Sequence, residues 1–174
     1  MGGSSPRPRR RRPCLRKSPN ILAIPRSLSS TSPPNVPSAS IEFPLHTKVT
    51  TFGPIPDALV PVTLTTRHGP LQLQCILDTG ADFTMLPHHM AELVGINLTH
   101  APRGRSLGIE GGRGIQTWLG TVTVTIGPYP VRLRCLFSSN DQTPYLLGRA
   151  DLLSAFSITF DTVRRKIRFT PHHA

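Results

Sequence analysis

Apolar residues at every second position constrain this chain more than any other feature. Val60, Val62 and Leu64 alternate with Pro61, Thr63 and Thr65, and Leu71, Leu73, Cys75 and Leu77 alternate with Gln72, Gln74 and Ile76. Successive strand side chains point to opposite faces, so this period fits a half-buried strand and not an amphipathic helix. The turn residues "RHGP", Arg67–Pro70, join the two runs into a predicted hairpin. The pattern returns at Val122, Val124 and Ile126, turns at "GPYP", and continues through Val131, Leu133, Cys135 and Phe137. "YLLG", Tyr145–Gly148, reads as a short buried strand. "SITFD" and "KIRFT" read as a last hairpin across Thr162–Arg165. One short helix is expected in "PHHMAELVG", with Pro87 in its first turn and Gly95 as its stop. A second, of about two turns, is expected in "RADLLSAF". The fold class is therefore all-β, mainly antiparallel, with one or two short helices.

Composition divides the chain near residue 40. Residues 1–40 hold eight prolines and eight Lys/Arg with no acid, whereas residues 41–174 hold twelve Lys/Arg against nine Asp/Glu. Most of the net charge of +11 thus sits in a segment with little to bury. The expected organisation is a disordered basic tail over 1–40 and a folded domain over 41–174, with its core at about 58–171. Arg7, Arg9, Arg10, Arg11 and Arg12 can attract nucleic acid by charge alone. A solvated tail, or an organellar transit peptide, fits the same residues. No apolar core follows the basic start, as a secretory signal would require. No run reaches the ~20 apolar residues of a membrane span, so no membrane partner is expected. Cytoplasm is the default compartment. The three cysteines, Cys14, Cys75 and Cys135, are odd in number and far apart, so no disulfide framework is implied. His88, His89, His100, His172 and His173 lack zinc spacing, and no metal or other cofactor is expected. Trp118 is expected to pack.

Within the second run, "QCILDTGADFTMLP" places Asp78 directly after the apolar Cys75-Ile76-Leu77. A carboxylate at the end of a core strand is costly unless it has a use there. The small residues Thr79, Gly80 and Ala81 allow a sharp turn and leave the carboxylate approachable. One carboxylate is a poor catalyst of amide hydrolysis. Two that face each other can share a proton and act together as base and acid, the arrangement of aspartic proteases.

Leu77-Asp78-Thr79-Gly80-Ala81 resembles the active-site turn of the retropepsin-like aspartic proteases. "YLLGRADLL", Tyr145–Leu153, resembles their second motif, and the glycine-rich "LGIEGG" lies between, where the family has its flap. The form Gly148-Arg149-Ala150-Asp151 is closer to the cellular and bacterial single-domain members than to the retroviral ones. The resemblance implies a closed, homodimeric β domain with a flap hairpin. It makes Asp78 catalytic and Thr79 a link across the dimer axis, with Gly80 presenting its backbone to substrate. Asp82 and Arg149 would pair behind the turn, and Leu146, Leu147 and Gly148 would form its support strand. Gly108, Ile109, Glu110, Gly111 and Gly112 would be the flap tip.

The chain holds one Asp-Thr-Gly, so an active enzyme needs a second identical subunit. The expected function is an aspartic endopeptidase acting on extended polypeptide. The rival is an inactive retropepsin-like module that dimerises or binds peptide, tethered to nucleic acid by its basic tail. An intact Asp78-Thr79-Gly80 argues against the rival, since a binding module has no use for that carboxylate.

Overall fold

The computed structural model describes residues 39–107 and 114–172. The basic tail before residue 39 and the flap-tip residues Gly108, Ile109, Glu110, Gly111 and Gly112 lie outside the described residues. In chain order the strands are β1 (Ile41–Pro44), β2 (His46–Thr50), β3 (Gly53–Asp57), β4 (Leu59–Thr66), β5 (Gly69–Leu77) and β6 (Thr84–Pro87). Then follow helix α1 (Met90–Leu93), β7 (Arg103–Ser106), β8 (Ile115–Ile126), β9 (Tyr129–Ser138) and β10 (Leu146–Leu147). Helix α2 (Leu152–Ala155), β11 (Phe156–Asp161) and β12 (Lys166–Pro171) end the series.

The main sheet runs β4-β5-β10-β6-β9-β8-β7, and β4 also pairs with β8, which closes it. The closing register sets Thr63 opposite Thr125 and Leu64 opposite Val124. Alternation decides what fills the interior. Val60, Val62, Leu64, Val122, Val124, Ile126, Leu133, Cys135 and Phe137 are each at most 3% exposed, while Thr121, Thr123, Arg132 and Arg134 point outward. Burial pushes the Cys75 thiol up to about 12 and raises that of Cys135 further. Both therefore serve as small apolar residues.

Two pairings are parallel, β5 with β10 and β6 with β9, in an otherwise antiparallel structure. They let strands distant in sequence meet beside the turn that follows β5. A second sheet, β1-β12-β11, packs Phe43, Phe156 and Phe169 edge-to-face at 5.4–5.5 Å between neighbouring ring centroids. Strands β2 and β3 form a separate two-stranded ribbon.

Two expectations need correction. Pro87 is the last residue of β6, opposite Ser138 of β9, and α1 begins only at Met90. A proline at a strand end forfeits no ladder donor that matters. Gly95, at φ +80°, does follow the helix, as its stop requires. The second helix is one turn rather than two. Asp151 at its start has φ +66°, and Phe156 at its end is 2% exposed and already part of β11. The core needs Phe156 in the sheet more than α2 needs another turn.

Candidate active site

Asp78 leaves β5 with its backbone N–H donated to the Leu147 carbonyl at 3.0 Å. Just before it, Ile76 N–H donates to Tyr145 O at 2.8 Å, and the parallel register sets Leu146 beside Ile76 and Leu147 beside Leu77. The β10 residues thus carry the strand end on which Asp78 sits. The side chain then fixes its own turn. The Gly80 N–H donates to Asp78 Oδ1 at 2.8 Å, and the Ala81 N–H donates to the Asp78 carbonyl at 3.2 Å. Asp78 is half-buried, with Thr79 and Gly80 exposed beside it. The other carboxylate oxygen, Oδ2, carries no hydrogen bond among the described residues.

The turn is also held from behind. Arg149 N–H donates to Ala81 O at 3.0 Å and Ala150 N–H to Asp82 O at 2.7 Å. The Arg149 guanidinium pairs with the Asp82 carboxylate, both well exposed. In water an exposed pair adds little by itself, so the two backbone bonds carry more of the restraint than the charges. Gly148 is where the two segments come closest. A Cβ there would lie 2.2 Å from the Phe83 carbonyl carbon and 2.7 Å from Thr84 N, so only glycine fits. The buried Thr84 hydroxyl accepts the Gly148 N–H at 3.4 Å.

The structure adds one residue that alternation hides. Arg134 sits at an outward position of β9, where the pattern marks it only as a solvated cation. Its backbone N–H and its guanidinium all donate to the Asp151 carboxylate, at 2.8–3.2 Å. The guanidinium carbon also lies 5.2 Å from the centre of the Phe83 ring. The Arg134 hydrogen bonds hold the Asp151 carboxyl below the usual carboxylate range. Arg134 thus ties the entry to α2 to the segment after Asp82. The signal that could have found it is the combination of an arginine on β9 with an acid in the Gly-Arg-Ala-Asp run.

Trp118, on β8, makes an edge-to-face contact with His88 at 4.9 Å between centroids. Among the described residues no three His, Cys, Asp or Glu side chains gather as a metal site. Nor is any described helix long and apolar enough to cross a membrane.

The arrangement is a single carboxylate on a rigid, accessible turn, backed by a glycine-arginine segment. The sequence profile of the family described as gag-polyprotein putative aspartyl protease matches residues 66–154, which span both the turn and its backing segment. No curated protein matches the chain. Among solved structures, a retropepsin-like aspartic protease from Rickettsia conorii superposes with a TM-score of 0.53 at 16% identity, over 75% of this chain and 90% of its own. That likeness concerns the fold. The EIAV protease in complex with the inhibitor HBY-793 aligns at 24% identity with a TM-score of 0.39, over 56% of this chain and 86% of its own. With the profile covering just over half of its length, the chain belongs to the gag-polyprotein aspartyl protease family, and its fold is retropepsin-like.

Proposed function

We propose that the chain is an aspartic endopeptidase that works as a homodimer, with one Asp78 from each subunit. The observation that carries this reading is the Asp78 turn: one accessible carboxylate, fixed by Gly80 N–H at 2.8 Å and backed through Asp78 N–H to Leu147 O at 3.0 Å. Such rigidity suits a group that must be in place before substrate arrives.

Two facing carboxylates hold one proton between them, because like charges so close cannot both ionise. The ionised one takes a proton from water as the water oxygen bonds to the peptide carbonyl carbon. The protonated one gives its proton to the carbonyl oxygen. Collapse of the resulting diol breaks the C–N bond: one diol hydroxyl gives its proton to the ionised carboxylate while the protonated carboxyl gives its proton to the departing amine nitrogen, so the pair again holds one proton. Thr79, exposed beside Asp78, would join its counterpart across the two-fold axis. The substrate is an extended polypeptide that adds as a strand to the site.

The test compares the wild type with Asp78→Asn. Wild type should cleave peptides at mildly acidic pH, be blocked by a statine-type inhibitor and be indifferent to chelators. Asp78→Asn should lose activity by roughly 10³-fold or more while melting at the same temperature. Specific activity should fall on dilution, and excess Asp78→Asn should poison the wild type through mixed dimers. Full activity in Asp78→Asn, or a monomer equally active at every dilution, would overturn the reading.

A further inference from the structure

A well-formed cavity among the described residues is not at Asp78. It has a volume of about 560 Å³ and includes none of residues 78–82 or 145–149 in its lining. Arg67, His88, Glu92, Ile96, Arg103 and Trp118 line it. Arg103 and Trp118 are register partners on β7 and β8, so the cavity opens at the stem that leads into residues 108–113.

Its chemistry is distinct. The Arg103 side chain makes no hydrogen bond or ion pair among the described residues, so its charge is available to a ligand. Arg67 is fixed, with its guanidinium donating to Gly95 O at 3.3 Å, and retains free donors. Trp118 and Ile96 supply partly buried apolar surface between these cations. A volume of this size takes a few residues of peptide or a small organic molecule.

From this placement we infer that the cavity is an exosite for an acidic peptide segment, with carboxylates at Arg67 and Arg103 and an apolar side chain on Trp118. Guanidinium groups suit carboxylates, which they bind through two donors. Nucleic acid fits less well. Glu92 lies in the lining, and Asp141 lies beside it, paired with His89 at 3.0 Å. A continuous run of phosphates would meet these carboxylates, whereas a peptide can set one or two acids against the arginines and keep the rest of its surface neutral. As the second contact point of a polypeptide substrate, the exosite rests on the peptidase reading; as a binding site it does not.

The chain has a single tryptophan, so Trp118 itself reports occupancy. The experiment uses the full chain carrying Asp78→Asn, so nothing is cleaved whether or not the peptidase reading holds. A blocked hexapeptide of Glu and Phe is titrated against Trp118 fluorescence, beside its Gln-for-Glu counterpart and a single-stranded oligonucleotide. The expected result is a saturable change with the acidic peptide only. Arg103→Gln should weaken it about tenfold, as expected for one exposed charge-assisted contact, and Arg103→Lys should restore part of the loss. In the wild-type chain the response should survive saturation of the Asp78 site with a statine-type inhibitor. An equal response to the Gln peptide, a response indifferent to Arg103→Gln, or no response would overturn the exosite. An Arg103-dependent response to the oligonucleotide in place of the peptide would overturn the assignment to peptide.

Discussion

The turn at residues 78–82 and the ribbon β2–β3 at residues 46–57 are both bends at the edge of the β structure, yet they are held in opposite ways. The ribbon supports itself mainly through its own antiparallel ladder, from His46 opposite Asp57 to Thr50 opposite Gly53, with one distant contact from the Arg165 guanidinium to Thr47 Oγ1. At its tip Thr50 Oγ1 donates to Gly53 O at 2.7 Å and accepts from Phe52 N–H at 3.2 Å. Phe52 is fully exposed and Val49 is 81% exposed. The Asp78 turn has no ladder of its own. Beyond the local bonds from Gly80 and Ala81 to Asp78, its restraints arrive from Leu147, Gly148, Arg149 and Ala150, about 70 residues later in the chain. A ribbon held by neighbours in sequence tolerates changes on its faces. A turn held from behind is sensitive to changes that never touch the Asp78 carboxylate.

Gly148→Ala should break the comparison most sharply. The added methyl would lie 2.2–2.3 Å from the Phe83 carbonyl, with backbone on both sides and no flexible side chain to yield. Overpacking typically costs ~1–3 kcal/mol, and this site belongs at or beyond the upper end. Thermal unfolding should show a fall of roughly 10 °C. Peptidase activity should fall further than the folded fraction does, because the displaced segment carries Asp78. A variant that melts and cleaves like wild type would mean that the turn is not held through Gly148.

Arg134→Gln is the next largest. The folded Asp151 carboxyl lies below its ordinary value because Arg134 hydrogen-bonds to it. A lowered folded value means that the clamp stabilises the fold above the unfolded carboxylate range and fades as pH falls through the folded value. At pH 7 the variant should melt lower than wild type. The gap should close progressively below pH ~4, where the unfolded carboxylate begins to take up protons. The clamp therefore stays charged in the mildly acidic range proposed for activity. A gap in melting temperature that stays constant from pH 7 to pH 3 would assign the effect to the Arg134–Phe83 contact instead of the ion pair.

These two residues also show what was legible in the sequence. The strands β4, β5, β8, β9, β11 and β12 were readable because each buries one face, and period-two alternation records that directly. The turn at Asp78 and its segment at 145–149 were readable as a pair of motifs. The Asp82–Arg149 contact followed from the resemblance alone, and the structure brings those two side chains together. Other features left no local trace. Strand β10 has only two residues, and its place is set by long-range pairing, parallel with β5 and antiparallel with β6. Strand β1 covers Ile41-Glu42-Phe43-Pro44, too short for a period, and owes its place to β12 and to Glu42 meeting Lys166 and Arg168. Arg134 looked solvated because alternation reports which face a side chain is on and not what it meets there. The cavity at Arg103 and Trp118 is likewise formed by residues that share no motif.

The smallest effect is expected at the ribbon tip. Phe52→Ser removes a large apolar side chain, which in a core would cost ~3–5 kcal/mol. Here the ring is fully exposed, and the tip bonds from Thr50 use its backbone rather than its side chain. No burial is lost and no polar group is stranded, so the change in stability should stay within about 0.5 kcal/mol. Removing an exposed phenyl ring should also leave peptidase activity at the wild-type level, since the ladder from His46 to Asp57 is unchanged. Melting and turnover measured at low protein concentration are the appropriate readouts. A loss of several degrees would show that Phe52 is covered in the assembled enzyme, and the ribbon would then join the turn among the elements held by distant parts of the structure.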